Sequence, residues 1–247
     1  MPSMLPDWFQ TPLGASLLER EAQRFGDLLP PAYYGRGLQV GAPEVDFLKT
    51  AGVRYPFTAN LQRLTPAPDL LAEPDALPFG EKSLELIVLP HTLDFWPDPH
   101  AVLREVGQIL APEGCVAITG FNPWSVWGGI RAVRKQRQTG LWSAHFHRMG
   151  RMQDWLTLLG FELVGGSMQV YQPPLQSEKW RRRLRFLDAA GDRWWPGFAA
   201  VYVLVARRRV PGLRPTAVRS KQWSRLLTGV VQPAARWPMR NGNGGER

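Results

Sequence analysis

Cysteine is nearly absent from the 247-residue sequence: Cys115 stands alone, so no intrachain disulfide can form and a zinc site made of four cysteines is excluded. Histidine is scarce as well. His145 and His147 alternate as metal ligands do, but no Cys, Asp or Glu lies close in sequence to complete a shell, and no metal site is expected. Long apolar runs are missing. The longest uncharged stretch, residues 114–130, has 17 residues and is broken by Gly120, Asn122-Pro123 and Gly128-Gly129, too short and too interrupted to span a bilayer. The first twenty residues show no basic region followed by an apolar one, so no signal peptide is expected, and with a single cysteine the reading is a cytoplasmic protein. Neither a GxSxG elbow, a full GxGxxG nor a P-loop occurs, which argues against serine hydrolase, dinucleotide dehydrogenase and NTPase chemistry. Internal repeats are absent.

Acidic residues run out along the chain. Residues 1–128 carry 8 Lys/Arg against 15 Asp/Glu, residues 129–206 carry 12 against 5, and residues 207–247 carry 10 against 1. The net charge of +9 therefore resides in the tail, because the body up to residue 206 is neutral overall. Three segments are expected: an N-terminal helical piece over 1–34, a main domain over 35–206, and a basic tail over 207–247 whose sparse apolar residues predict disorder. Any partner of that tail would be anionic and held by salt-sensitive attraction.

Thr11-Pro12 supplies an N-cap and a first-turn proline, and Leu13, Leu17, Leu18 and Phe25 share one helical face, which predicts a helix to about Phe25. A short buried strand is expected at 38–41, then a helix from Glu44 to Thr50 and an edge or irregular strand at 53–58, because Pro56 lies within it. Leu84 to Leu89 reads as a buried strand. Asp98-Pro99 then opens a helix carrying Val102, Leu103, Val106, Ile109 and Leu110 on one stripe, and a strand follows at 116–119. Strand, helix, strand in this order is a crossover unit of a parallel sheet. Residues 121–148 read as irregular, a helix is expected at 149–159, and strands at 161–164 and 198–206.

The motifs Asp-Ala-Leu-Pro-Phe at 75–79, Leu-Glu-Leu-Ile-Val at 84–88, Trp-Pro-Asp-Pro-His at 96–100, Leu-Arg-Glu-Val at 103–106 and Leu-Ala-Pro-Glu-Gly-Cys at 110–115 occur in an order that resembles the type 11 branch of class I S-adenosylmethionine-dependent methyltransferases. The resemblance covers roughly residues 35–206. The Trp-Phe-Gln-Thr-Pro-Leu-Gly run at 8–14 and Gly-Phe-Asn-Pro-Trp-Ser at 120–125 are similar to a poorly characterised bacterial subgroup of that family. It implies a Rossmann-like α/β fold, with a mostly parallel sheet, flanking helices and irregular inserts before the last strands. It also implies S-adenosyl-L-methionine as cofactor and a small-molecule methyl acceptor as partner.

On the same resemblance, Gly41 corresponds to the first glycine of the cofactor loop, and Asp75-Ala76 to the acid and small residue that contact the adenine. The loop departs from the family pattern: Gln39, Pro43 and Val45 stand where an acid and further glycines are preferred, and no ribose-gripping acid falls near Phe57 or Thr58. A second reading therefore stays open, a non-catalytic binding module with an eroded cofactor loop. Each residue also has a plainer role. Asp75 suits a turn before Pro78, and Gly41 an ordinary turn. His91, after the fourth strand, is either a base near neutrality or a core histidine. The basic groups at 131–137 and 179–185 face an anionic ligand or simply solvent, and Trp124, Trp127 and Trp142 wall an acceptor pocket or pack locally.

Overall fold

A computed structural model describes residues 7–62, 67–133, 140–175, 177–184 and 186–209. After a 3-10 turn at Asp7–Gln10, the chain forms α1 (Pro12–Leu28), β1 (Arg36–Val40), α2 (Phe47–Thr50), β2 (Tyr55–Asn60), β3 (Leu70–Leu71), β4 (Leu84–Pro90), α3 (Thr92–Phe95), α4 (Pro99–Ile109) and β5 (Leu110–Phe121). Then come α5 (Val126–Val133), α6 (Met149–Leu158), β6 (Phe161–Gln169), α7 (Glu178–Arg183), α8 (Phe186–Trp194) and β7 (Val201–Arg208).

The seven strands make one sheet in the order β3-β2-β1-β4-β5-β7-β6. All pairings are parallel except those of β7, which runs antiparallel to both β5 and β6. A parallel sheet is covered on both faces, which is why β4 and β5 read as continuous apolar runs. Leu86, Val88, Cys115 and Ala117 pack into a core with α1 and α2, while Ile87, Leu89, Val116 and Ile118 pack into a second core with α4 and α6. Strand order reverses between β1 and β4. The crevice outside the carboxyl ends of these strands is the place where open α/β sheets bind ligands.

Local chemistry explains the boundaries. The Thr11 hydroxyl accepts from the Gly14 N–H at 3.2 Å, and Asp98 accepts from the His100 and Ala101 N–H groups at 3.0 Å each, so both expected caps form. Strand β2 runs two residues later than expected. It pairs with β3 only at Ala59 and Asn60, leaving Pro56 on an open edge where its missing N–H costs no ladder bond.

The segment expected to be irregular contains a helix, α5. Gly128 sits inside it because a methyl group there would collide with the Pro123 backbone, so the glycine that obscures the pattern is a packing requirement. Strand β6 extends to Gln169, past Gly165-Gly166, where the register shifts against β7. The basic stretch after Gln172 holds two helices, α7 and α8. Strand β7 starts later than expected and continues to Arg208. The tail over 210–247, residues 134–137 of the 131–137 group and Arg185 lie outside the described residues.

Candidate functional site

A chain of hydrogen bonds gathers the carboxyl ends of β1, β2 and β4. The Gly41 N–H donates to the Ala59 carbonyl at 2.9 Å, which joins the loop after β1 to the end of β2. The Thr92 hydroxyl donates to the Val40 carbonyl at 2.6 Å, joining α3 to the end of β1. At the far end of α3, the Trp96 indole N–H donates to Asp75 Oδ2 at 3.1 Å. The turn at Gly41 and the segment at Asp75 are thus tied to opposite ends of α3, at the switch point. Ala76, beside Asp75, is exposed, and its N–H donates to the Glu73 carbonyl at 3.1 Å.

The loop after β1 is left-handed at Gly41 (φ 87) and at Ala42 (φ 47). Such values suit glycine and are uncommon for alanine. The Ala42 methyl packs into the core with Phe47 and Leu48, so it does not line the crevice. Gln39 stabilises this turn from inside. Its Nε2 lies 3.1, 2.8 and 2.9 Å from the carbonyl oxygens of Gly41, Ala42 and Val45, and its Oε1 accepts from the Phe47 N–H at 3.0 Å. A carboxylate has no N–H to donate, whereas the two N–H groups of the amide are shared among these carbonyls, so an amide suits this position where an acid does not. Strand β2 ends at the buried Asn60, whose Oδ1 accepts from the Leu61 N–H at 2.7 Å. The side chain at the end of β2 is therefore an amide at position 60, three residues past Phe57, because the strand ends two residues later than the sequence indicates.

His91 lies at the end of β4 in a left-handed conformation (φ 53), fully buried. Its ring stacks on Phe121 with centroids 4.0 Å apart. Nδ1 is 2.9 Å from Asp94 Oδ2, and Nε2 is 2.9 Å from Glu21 Oε1. Only an imidazolium has two N–H donors for two carboxylates. Burial alone depresses its pKa, but the charge and hydrogen bonds of Glu21 and Asp94 prevail and push it up to about 9. Burial raises the Asp94 carboxyl, against the attraction of His91. The Glu21 and Asp94 partnerships were not anticipated from sequence. Glu21 did leave a trace: it lies four residues after Leu17 and four before Phe25, on the apolar face of α1.

Next to this triad, the aromatic rings of Phe121 and Trp127 stack with centroids 6.0 Å apart, and the Trp127 indole donates to the Gln172 carbonyl at 2.7 Å. Behind Trp127 lies a cavity of about 200 Å³ between α1, α5 and α7, floored by Leu13, Leu17 and Val170 and rimmed by Arg20, Arg181 and Arg182. Trp124 is exposed, and Trp142 packs against the core. His147 faces Trp155 at 5.4 Å, and its pKa is lowered by burial. Among the described residues, no group of three or more His, Cys, Asp or Glu side chains converges on a point where a metal would bind.

Residues 47–118 match the family model described as a methyltransferase domain. The chain is 40% identical to the uncharacterized protein YafS of Escherichia coli over 96 residues, which cover 39% of this chain and 40% of YafS. It is 28% identical over 181 residues to the uncharacterized protein Rv2003c of Mycobacterium tuberculosis, covering 68% of this chain and 60% of the relative. The chain thus spans about half the length of these relatives. Among solved structures, a Thermotoga maritima S-adenosylmethionine-dependent methyltransferase, described as a possible histamine N-methyltransferase, superposes with a TM-score of 0.59 at 17% identity, covering 82% of this chain and 93% of that one. The N-methyltransferase NodS of Bradyrhizobium japonicum, solved with S-adenosyl-L-homocysteine, superposes with a TM-score of 0.52 at 13% identity, covering 80% and 88%. The protein has the class I, Rossmann-like methyltransferase fold. Its segment from α2 to β5 carries the methyltransferase-domain family signature.

Proposed function

We propose that the protein is an S-adenosylmethionine-dependent methyltransferase acting on a small-molecule acceptor. One observation carries this reading: the hydrogen bonds that tie the turn at Gly41 to the end of β2, the end of β1 to α3, and α3 through Trp96 to Asp75, at the switch point between β1 and β4. The residues present fit the cofactor. The left-handed turn at Gly41 and Ala42 lets backbone approach closely, with the alanine methyl turned into the core. Asn60 and Asp75 offer an amide and a carboxylate for ribose hydroxyls and an adenine amine. When bound, S-adenosylmethionine supplies an electrophilic methyl group on its sulfonium.

What this chain adds is alignment and the exclusion of water. His91 serves in this reading to hold α1 over the strand ends through Glu21, since both its ring nitrogens are occupied by carboxylates. Methyl transfer to a nucleophilic acceptor needs no base beyond alignment, so a protonated, sequestered imidazole is compatible with turnover. Gly41, Asp75 and Ala76 are the cofactor contacts of this proposal.

The second reading, a non-catalytic binding module of the same fold, draws on Gln39, whose side chain is spent inside the loop. Calorimetric titration of the folded protein with S-adenosylmethionine and with S-adenosylhomocysteine separates the two. Saturable binding of both is expected, and no heat at millimolar ligand would sink the enzyme reading.

A further inference from the structure

The half of the chain after β5 presents large apolar side chains to solvent in unusual number. Trp124, Trp180, Phe186, Trp194, Trp195 and Phe198 are all more than half exposed, with Trp194 at 68%. They come from segments fastened to one another. The Asn122 amide donates to the carbonyls of Gly197 and Ala199 at 2.8 and 2.9 Å, tying the start of α5 to the 3-10 turn at Pro196–Phe198. Asp188 of α8 accepts from the Tyr171 N–H at 2.9 Å and pairs with Arg20 of α1 at 3.1 Å. Large aromatic side chains exposed in this number on linked segments call for something that covers them.

Charge names the partner. Arg148, Arg183 and Arg193 lie over the rings of Trp124, Trp180 and Trp194 at 4.6, 5.5 and 5.9 Å. Residues 129–206 as a whole hold 12 basic against 5 acidic side chains, and residues 207–247 add 10 against 1. Indole rings beside guanidinium groups suit the interface of a lipid bilayer, where an apolar body is buried and a cationic head meets phosphate. A single-stranded nucleic acid fits less well. Bases stack on open ring faces, and three of these rings already carry an arginine. The neighbouring Val126 and Val133 are exposed too, and an aliphatic side chain gains nothing from a base but does gain from acyl chains.

We propose that this aromatic and arginine-rich face, from α5 through α7 and α8 to the turn before β7, docks on an anionic lipid bilayer without crossing it. Among the described residues no helix is long and apolar enough to cross a membrane. Docking there is independent of methyl transfer.

The test is flotation of the full chain with phosphatidylcholine vesicles, with or without phosphatidylglycerol, at low and high salt. The protein should float with the anionic vesicles, retain part of its binding at high salt, and quench its tryptophan fluorescence against lipids brominated in the acyl chain. Replacing Trp194, Trp195 and Phe198 together by alanine should lower partition by about tenfold or more while leaving the circular dichroism spectrum unchanged. Failure to float, or absence of quenching in the unmodified protein, overturns the proposal. So does flotation that high salt abolishes and the triple variant leaves intact, which would assign it to the basic tail alone. Displacement from vesicles by a single-stranded oligothymidylate that binds the same aromatic residues would make the face a nucleic-acid surface instead.

Discussion

Glu21 and His91, 70 positions apart in sequence, meet at 2.9 Å in a place with no access to solvent. The contact fastens α1 to the end of β4, so the N-terminal helix is bound to the sheet at its switch point. Its energetics resemble those of other buried ion pairs: two charges lose their hydration, and each depends on the other. Replacing Glu21 by alanine should therefore destabilise the protein by roughly 3–5 kcal/mol, because the imidazolium keeps only Asp94. Urea denaturation of the variant gives the answer, and a loss under about 1 kcal/mol would mean that the pair holds little of the fold.

Stability should also depend on pH through the same group. The His91 pKa is raised from an ordinary 6.5 to about 9 in the folded state. A raised pKa means that the folded protein binds the proton more tightly than the unfolded one. The stabilisation is then complete below 6.5 and is lost as the pH rises towards 9. Asp94, raised in the folded state by burial, acts in the same direction. Denaturant midpoints measured across that window should fall with rising pH, and His91→Gln should flatten the decline. A midpoint that holds steady in the unmodified protein would contradict the imidazolium assignment.

On the proposed function, cofactor affinity should respond to Asp75 and Asn60 in opposite ways. Asp75→Ala should weaken S-adenosylmethionine binding by roughly 1–3 kcal/mol, the scale of a hydrogen bond involving a charged group. Asn60→Asp should tighten it by about 1 kcal/mol, since a carboxylate accepts more strongly from a ribose hydroxyl and still accepts from the Leu61 N–H. Calorimetry on both variants is decisive. Unchanged affinity in the folded Asp75→Ala variant would return that residue to its turn role.

Gln39 provides a test of the loop after β1. Its amide serves three carbonyls and one N–H, so Gln39→Ala should cost about 1–3 kcal/mol in thermal or chemical denaturation, from polar groups left without partners. Gln39→Glu should cost more, although glutamate is nearly the same shape, because a carboxylate would face the carbonyl oxygens of Gly41, Ala42 and Val45. If Gln39→Glu proves as stable as the natural protein, the loop reorganises readily.

Much of this fold was legible in the sequence wherever one residue type carries one meaning. Thr11-Pro12 and Asp98-Pro99 announced α1 and α4, the apolar run at Leu84 to Leu89 announced β4, and the motif series over 75–115 indicated the fold class. Legibility failed where a residue served packing instead of local propensity. Gly128 fits against Pro123 and hid α5, while Gly165-Gly166 at a register shift made β6 look shorter by five residues, ending at Val164 instead of Gln169. The candidate site was less legible. Gly41 and Asp75 were singled out by motif as expected cofactor contacts, whereas Glu21, Asp94 and Gln39 take their meaning from partners that only the folded chain brings near.

The position of β7 has a consequence for how the molecule comes to exist. Residues 201–208 form an interior strand, antiparallel, wedged between β5 and β6. During synthesis, therefore, everything from β1 to β6 leaves the ribosome before the strand that joins β5 to β6 is available. For that interval β5 and β6 each hold an unpaired, largely uncharged edge, the kind of surface on which nascent chains associate wrongly. A stop codon placed before Val201 would leave that interval permanent, so nascent chains of this protein should depend on chaperones until β7 is made.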